Sequence, residues 1–435
     1  MRINVSLSIA VLVGGAYFLM VSIYALVGTN QVPQLVELIT LLCFIVIVPA
    51  VWRLFTQGNR RAQIFFGFLF VYALILLLST LFYGNPYTSK GSSFFIDVFL
   101  DSKFYVISLI LLFFVQPPRL EGLFKIILGF LFIIACLNTI FIVHDLVSGR
   151  SIHGFPLRSR AGIHVPLGMF DHKLKSAQFQ FLGVVSSVYF YLGATRRTRH
   201  LFLSASICFS FTVLLHLSAK EISALVLTIA AYFVLRNRTN IGIWFIRGAI
   251  VALFIAPVFI FDNPVRSAFS DRFSVFLGDD SSKTVRTAAY IGSVSLASEK
   301  FPLGTGAATF MSKGARDFYS PYYYQTKIAY SFGGSEENPA FLMDTYWPKI
   351  TAQSGFIGLF SYLFATACSI LWALRDFASA RNGQSFAVMG ILLSLGIYSL
   401  ATPSYTHDHA SIPFAVALAL LLASKRKSQG NLHAH

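Results

Sequence analysis

Lys220 and Glu221 stand at the start of one apolar stretch, just after His216 closes the stretch before it. So short a connection puts these groups near membrane depth, where an ionisable residue costs a few kcal/mol and faces a cavity or a partner. Lys220 either snorkels to the outer surface or lines a wet cleft as its cation. Arg158, Arg160, His164, His172 and Lys173 form a second basic group within about 144–176. Guanidinium groups clamp phosphate bidentately, and anionic headgroups attract the same charges. A diphosphate-linked lipid meets both descriptions. Arg286 opens an amphipathic helix expected from Ser282 to Ala297, which Pro302-Leu303-Gly304-Thr305-Gly306 breaks. Asp344 stands eleven residues before Gly355. Its carboxylate is a general base or a cap for the helix it opens. His407 and His409, two apart, are a weak metal pair in a turn that reads equally as solvated.

Other chemistries lack their motifs. There is no phosphate-binding Walker loop, no His-Glu-x-x-His and no Cys-x-x-Cys, and Gly304-Thr305-Gly306 wants the third glycine of a dinucleotide loop. No cofactor and no metal site is expected. Cys43, Cys136, Cys208 and Cys368 all sit in apolar runs, so no disulfide framework is expected either.

The elements that must position these residues follow from composition. Of 435 residues, 56% are hydrophobic and only 12% charged, about half the charge of a soluble domain, and the mean hydropathy is +0.68. The sequence therefore predicts an all-α polytopic membrane protein. Runs of spanning length fall near 6–28, 35–55, 64–83, 96–116, 122–143, 177–194, 201–217, 221–235, 241–261, 354–374, 386–402 and 411–424. The fourth is the weakest, because Asp97, Asp101 and Lys103 precede its clean core, and a re-entrant or broken helix is an alternative there. The first run is too long for a signal peptide and reads as a retained helix.

Basic residues set the orientation. Arg53, Arg60 and Arg61, then Arg119 and Lys125, then Arg196, Arg197 and Arg199 follow even-numbered spans. So do Arg236 and Arg238, Arg375 and Arg381, and finally Lys425, Arg426 and Lys427. The positive-inside rule then puts both termini in the cytoplasm, so the charge of +16 reports topology rather than nucleic-acid binding. The chain divides into helices 1–9 (residues 1–261, including the basic loop 144–176), a large outside loop (262–353), and helices 10–12 with the tail (354–435). The aromatic stretch Tyr319 to Tyr324 in that loop reads as an interfacial or sugar-stacking surface.

Three stretches resemble the bacterial O-antigen ligase and Wzy-type polysaccharide polymerase family. Thr284-Val285-Arg286-Thr287 through Phe301-Pro302-Leu303-Gly304-Thr305-Gly306 is similar to its arginine, helix and Pro-x-x-Gly-x-Gly signature. Phe341-Leu342-Met343-Asp344-Thr345-Tyr346-Trp347 through Gly355-Phe356-Ile357-Gly358 resembles the ligase motif that runs from a histidine to Gly-x-x-Gly, with the glycine spacing kept. Leu217-Ser218-Ala219-Lys220-Glu221 resembles the start of the family's eighth span. Asp344 stands in the place of the motif histidine and Lys220 in that of an arginine, which points away from a ligase and toward a polymerase.

The resemblance implies a twelve-span inner-membrane protein with its large loop in the periplasm. It implies transfer of glycan from undecaprenyl diphosphate to a sugar hydroxyl of another lipid-linked repeat, with no nucleotide donor. The partners implied are the lipid-linked oligosaccharide, membrane lipids and a chain-length regulator of export. Arg286 and Lys220 would contact the diphosphate, Arg158, Arg160, His172 and Lys173 would support them, and Asp344 would act as base. Transfer to lipid A–core by a ligase is the nearest rival. A solute transporter is the other, though the internal repeat common in transporters is absent from the sequence.

Overall fold

Lipid cannot satisfy an open backbone, so apolar runs of spanning length must close their hydrogen bonds as helices. The computed structural model describes residues 47–57, 59–83, 91–157, 159–160, 163–236, 285–400, 402 and 408–423. The predicted spans 6–28 and 241–261, and most of 35–55, lie outside them. The described helices are α1 Ile47–Gln57, α2 Arg60–Tyr83, α3 Gly91–Phe114, α4 Pro117–Ser148, α5 Lys173–Gly193, α6 Arg196–Leu215 and α7 Ala219–Arg236. They continue as α8 Val285–Glu299, the short α9 Lys313–Asp317 and α10 Tyr322–Gln325, α11 Trp347–Ala380, α12 Gly383–Ser399 and α13 Asp408–Ala423. A two-residue antiparallel ladder, β1 Ser159–Arg160 with β2 Ile163–His164, sits between α4 and α5.

Four of these helices, α2, α4, α6 and α11, are long and apolar enough to cross a membrane, and α12 and α13 are shorter apolar helices. With the composition, this makes the chain an all-α membrane protein. α13 is apolar on every face and buried along its whole length from Ser411, the behaviour of a helix surrounded by others. α4 begins with two prolines and ends where Gly149 turns left-handed, its N–H bonding Asp145 O. α12 begins at Asn382, whose side chain accepts the Ser385 N–H.

α3 covers the weakest of the predicted runs, and the alternative of a broken helix there does not hold. It runs unbroken for 24 residues, because its charges find partners inside the protein. Asp101 accepts from Lys349 Nζ of α11 at 2.9 Å, and Asp97, Asp101, Lys103 and Lys349 are all buried.

α11 is the element that breaks. At Gly355 the backbone leaves the helix (φ 62°, ψ −169°), which strands the carbonyls of the preceding turn. The segment after α8 supplies the missing donors. Thr305 N–H bonds Ala352 O at 2.8 Å and Gly306 N–H bonds Gln353 O at 3.0 Å. Backbone approaches backbone so closely there that a Cβ on Gly304 would lie 2.4 Å from Gly355 N. The two glycine motifs of the sequence are thus one packing unit. Ser79 Oγ of α2 also donates to Gln353 O, and Thr80 Oγ1 accepts from Ala307 N–H.

α2 and α11 run antiparallel, which distinguishes two ends of the bundle. At one, Arg61 forms a bidentate pair with Asp376 at 2.6 and 2.7 Å. At the other, α2 meets the Gly304–Gly355 unit and α8 packs on α11. A second, smaller core lies at this end, where Phe310, Met311, Tyr323, Ile328 and Leu342 bury against the inner face of α8.

Candidate active site

The turn between α6 and α7 is tight enough to force Leu217 to a positive φ of 47°, a conformation that costs on the order of 1 kcal/mol. It sets Lys220 and Glu221 in the first turn of α7. Ser218 Oγ–H donates to the Glu221 carboxylate, which ties the turn to the first residues of α7. Lys220 turns inward rather than to the surface. Its Nζ lies 3.8 Å from Glu221 Oε1 and donates to Thr402 Oγ1 at 3.2 Å, and only 14% of the side chain is exposed.

Arg286 and Asp344 meet directly, Nη2 to Oδ2, at 3.0 Å. Tyr346 occupies the N-cap position of α11, so the Asp344 carboxylate serves the arginine and not the helix it precedes. Both side chains keep more than a third of their surface open, which leaves room for a ligand. Tyr290, one turn beyond Arg286, donates to Leu400 O at 2.8 Å. α8 is thereby pinned to the end of α12, the same stretch that holds Lys220 through Thr402. Lys220 lies within Coulombic reach of both Arg286 and Asp344.

The basic loop reaches this cluster through buried anchors. Asp145 Oδ2 accepts the N–H groups of Leu167 and Gly168 at 2.9 and 2.8 Å, and Asn138 Oδ1 accepts that of Met169 at 3.0 Å. Asn138 Nδ2 then donates to Ser176 Oγ at 2.9 Å. The carbonyl of Thr212 can only accept from His216 Nδ1, so His216 Nε2 accepts from Ser176 Oγ at 2.8 Å. The chain of bonds runs from α4 through α5 to the turn before Lys220. It places His172 and Lys173, the latter the first residue of α5, beside the cluster. His172 feels the charge of Lys220, and Glu221 that of Lys173.

His172 is the N-cap of α5, its Nδ1 accepting the Leu174 N–H at 3.2 Å. Partial desolvation, then the charge of Lys175 beside it, hold the ring below the ordinary histidine value. It is therefore a neutral ring with an Nε2–H to donate, not a fixed cation. Arg160 lies on β1, paired with Ile163, while Arg158 lies outside the described residues, as does His407; of His409 the backbone alone is described, in α13.

No protein-family model matches this chain, and no curated protein does.

Lys173, Lys220 and Arg286 against Glu221 and Asp344 leave an excess of positive charge, with the Arg286–Asp344 pair partly open to solvent. Such a group attracts an anion, and a guanidinium already bonded to one carboxylate retains N–H groups for a phosphate. Asp344, open on one side, can accept a proton from a hydroxyl lying against it.

Several supporting residues escape a reading of candidate sites alone. Asn138 and Asp145 are seven apart on α4, and Asp97 and Asp101 four apart on α3. Polar groups at helical spacing inside an apolar run mark the face turned to the interior. Thr402 carries no such signal.

Proposed function

We propose that the chain is a Wzy-type polymerase: it moves a glycan from undecaprenyl diphosphate to a sugar hydroxyl of another lipid-linked repeat. The observation that carries this is the gathering of Lys220, Arg286 and Asp344, with Lys173 and His172, from segments far apart in sequence. On this reading the protein spans the inner membrane twelve times with both termini cytoplasmic, and the candidate site faces the periplasm.

The acceptor oxygen attacks the anomeric carbon as the bond from that carbon to the diphosphate oxygen breaks. The bonding pair leaves with the lipid diphosphate, and the hydroxyl proton passes to the Asp344 carboxylate. Arg286 and Lys220 stabilise the charge that develops on the leaving group, the kind of preorganised electrostatic term that dominates such transfers. In the resting site Arg286 is paired with Asp344. Arrival of a diphosphate draws the guanidinium toward phosphate and frees carboxylate lone pairs for the acceptor. The donor carries the bond energy, which fits the absence of a nucleotide-binding motif.

Arg286→Ala, Lys220→Met and Asp344→Asn, each confirmed as inserted, should reduce polymer by at least 100-fold, the scale of losing one preorganised transition-state donor. Carrier-linked single repeats should accumulate. Normal polymer in these variants removes the assignment. Accumulation of full-length carrier-linked chains instead makes the protein a ligase, and solute flux in liposomes free of glycan makes it a transporter.

A further inference from the structure

The segment between α8 and α11 buries its small core on one side and turns a set of rings outward on the other. Tyr330 and Phe332 are each 77% exposed, and Tyr324 and Phe341 are exposed beside them. These rings do not belong to a lipid-facing helix. They are fixed on packed turns: Phe341 lies on Gly333 and its N–H bonds Gly333 O at 2.9 Å, and Tyr319 OH donates to Gly334 O at 2.7 Å. Phe332 and Phe341 stand 6.1 Å apart, Tyr324 and Tyr330 6.3 Å.

Charge chooses among the occupants such a surface could take. The nearest acids are Glu336, which accepts from Tyr324 OH, and Glu337. Burial, with these neighbours, pushes the Tyr319 phenol up to about 12. Lys327 on the intervening turn is the lone base of the stretch from Tyr319 to Phe341. Aromatic belts that meet a membrane are accompanied by lysine and arginine for anionic headgroups; here two carboxylates would repel them. Flat apolar rings interleaved with hydroxyls and carboxylates suit a sugar, whose C–H faces lie on rings and whose hydroxyls need acceptors.

The surface also adjoins the candidate site. Asp344 N–H bonds Phe341 O at 3.2 Å, and Gly334 packs against the Val285 side chain, next to Arg286. We propose that Tyr324, Tyr330, Phe332 and Phe341, with Glu336 and Glu337, form a ledge that binds the glycan itself and holds sugar residues beside the Arg286–Asp344 pair. This rests on the glycan-transfer reading and adds where the chain is held.

The test uses the full chain in phosphatidylcholine nanodiscs. The probe is an oligosaccharide fraction released by mild acid from the producing bacterium's own surface polysaccharide, which carries no lipid diphosphate. Wild type should bind it saturably. The double variant Tyr330→Ala/Phe332→Ala should bind at least about tenfold more weakly, a loss of about 1.4 kcal/mol. Tyr330→Trp, which keeps a ring, should bind within about threefold of wild type, ruling out general damage.

No saturable binding by wild type, or equal binding by the double variant, overturns the ledge. So does a change of oligomeric mass in the double variant, which would make the surface a self-contact. A nitroxide on Tyr330→Cys that is relaxed by oxygen but not by an aqueous nickel complex would put the surface in lipid and overturn it too. The binding assay contains no donor, so it is independent of transfer. Polymer without ring-dependent binding removes the ledge alone; ring-dependent binding without transfer removes the polymerase reading alone.

Discussion

A charge inside a membrane protein has to be answered by another charge, and Lys349 is the clearest case. Its Nζ meets both oxygens of Asp101, at 2.9 and 2.8 Å, with both side chains nearly sealed from solvent. Asp97, also buried, adds its charge from one turn away. Removing one member of such a pair strands the other, a loss of about 3–5 kcal/mol, whereas replacing both with apolar side chains is close to neutral. Lys349→Met should therefore lower the thermal midpoint in detergent sharply, and Asp101→Leu/Lys349→Met should recover most of the loss. A single variant as stable as wild type would mean that the pair is not sealed. The pair also bears on the candidate site, because it fixes the first turns of α11 directly after Asp344.

At the scale of elements, the junction of Gly304 with Gly355 joins the loop to the membrane bundle. The break in α11 leaves Ala352 and Gln353 carbonyls that the Thr305 and Gly306 amides satisfy, so neither element is complete alone. Gly304→Ala meets Gly355 N at 2.4 Å and Ala352 O at 2.5 Å, at a backbone φ of +82°. Strain of about 1–3 kcal/mol, before any clash, should part the two strands. Hydrogen exchange at Thr305 and Gly306 should quicken by at least about tenfold. Gly129→Ala, in open space on α4, should stabilise by up to about 1 kcal/mol. Exchange unchanged in Gly304→Ala would show that the contact does not hold the loop.

The same junction marks what was legible in the sequence. Helix positions were, because lipid imposes a length of apolar chain that any correct reading must find; α2, α4, α6 and α11 lie on such runs. The glycine motifs were visible as motifs, yet their meeting was not, since residues about fifty apart declare nothing of their pairing. Lys220, Arg286 and Asp344 were legible by type, as charges beside apolar runs. Their partners were less so. That Asp344 would answer Arg286 rather than cap α11, and that Lys220 would turn to Thr402, are outcomes of tertiary packing.

Over the whole molecule, charge and helix direction agree on two unlike ends. α2, α4 and α6 begin, and α7 and α11 finish, at the end that carries Arg60, Arg61, Arg119, Arg196, Arg197, Arg199, Arg236, Arg375 and Arg381. Arg61 is neutralised there by Asp376, and Arg199 lies over the Tyr191 ring at 4.4 Å, but most of this charge faces outward. The Arg286–Asp344 pair lies at the opposite end. Between Gln353 and Asp376 on α11 runs roughly 35 Å of helix at 1.5 Å per residue, the thickness of a hydrocarbon core and some headgroup. On the proposed orientation this positive end lies in the cytoplasm, as the positive-inside rule has it, and the candidate site should face outward. In a background with Cys43, Cys136, Cys208 and Cys368 replaced by serine, Asn338→Cys should react with a membrane-impermeant maleimide in intact spheroplasts. Ser379→Cys should react only after permeabilisation. The reverse pattern would put the candidate site in the cytoplasm, away from lipid-linked repeats presented on the outer leaflet, and the proposed transfer and its glycan ledge would fall together.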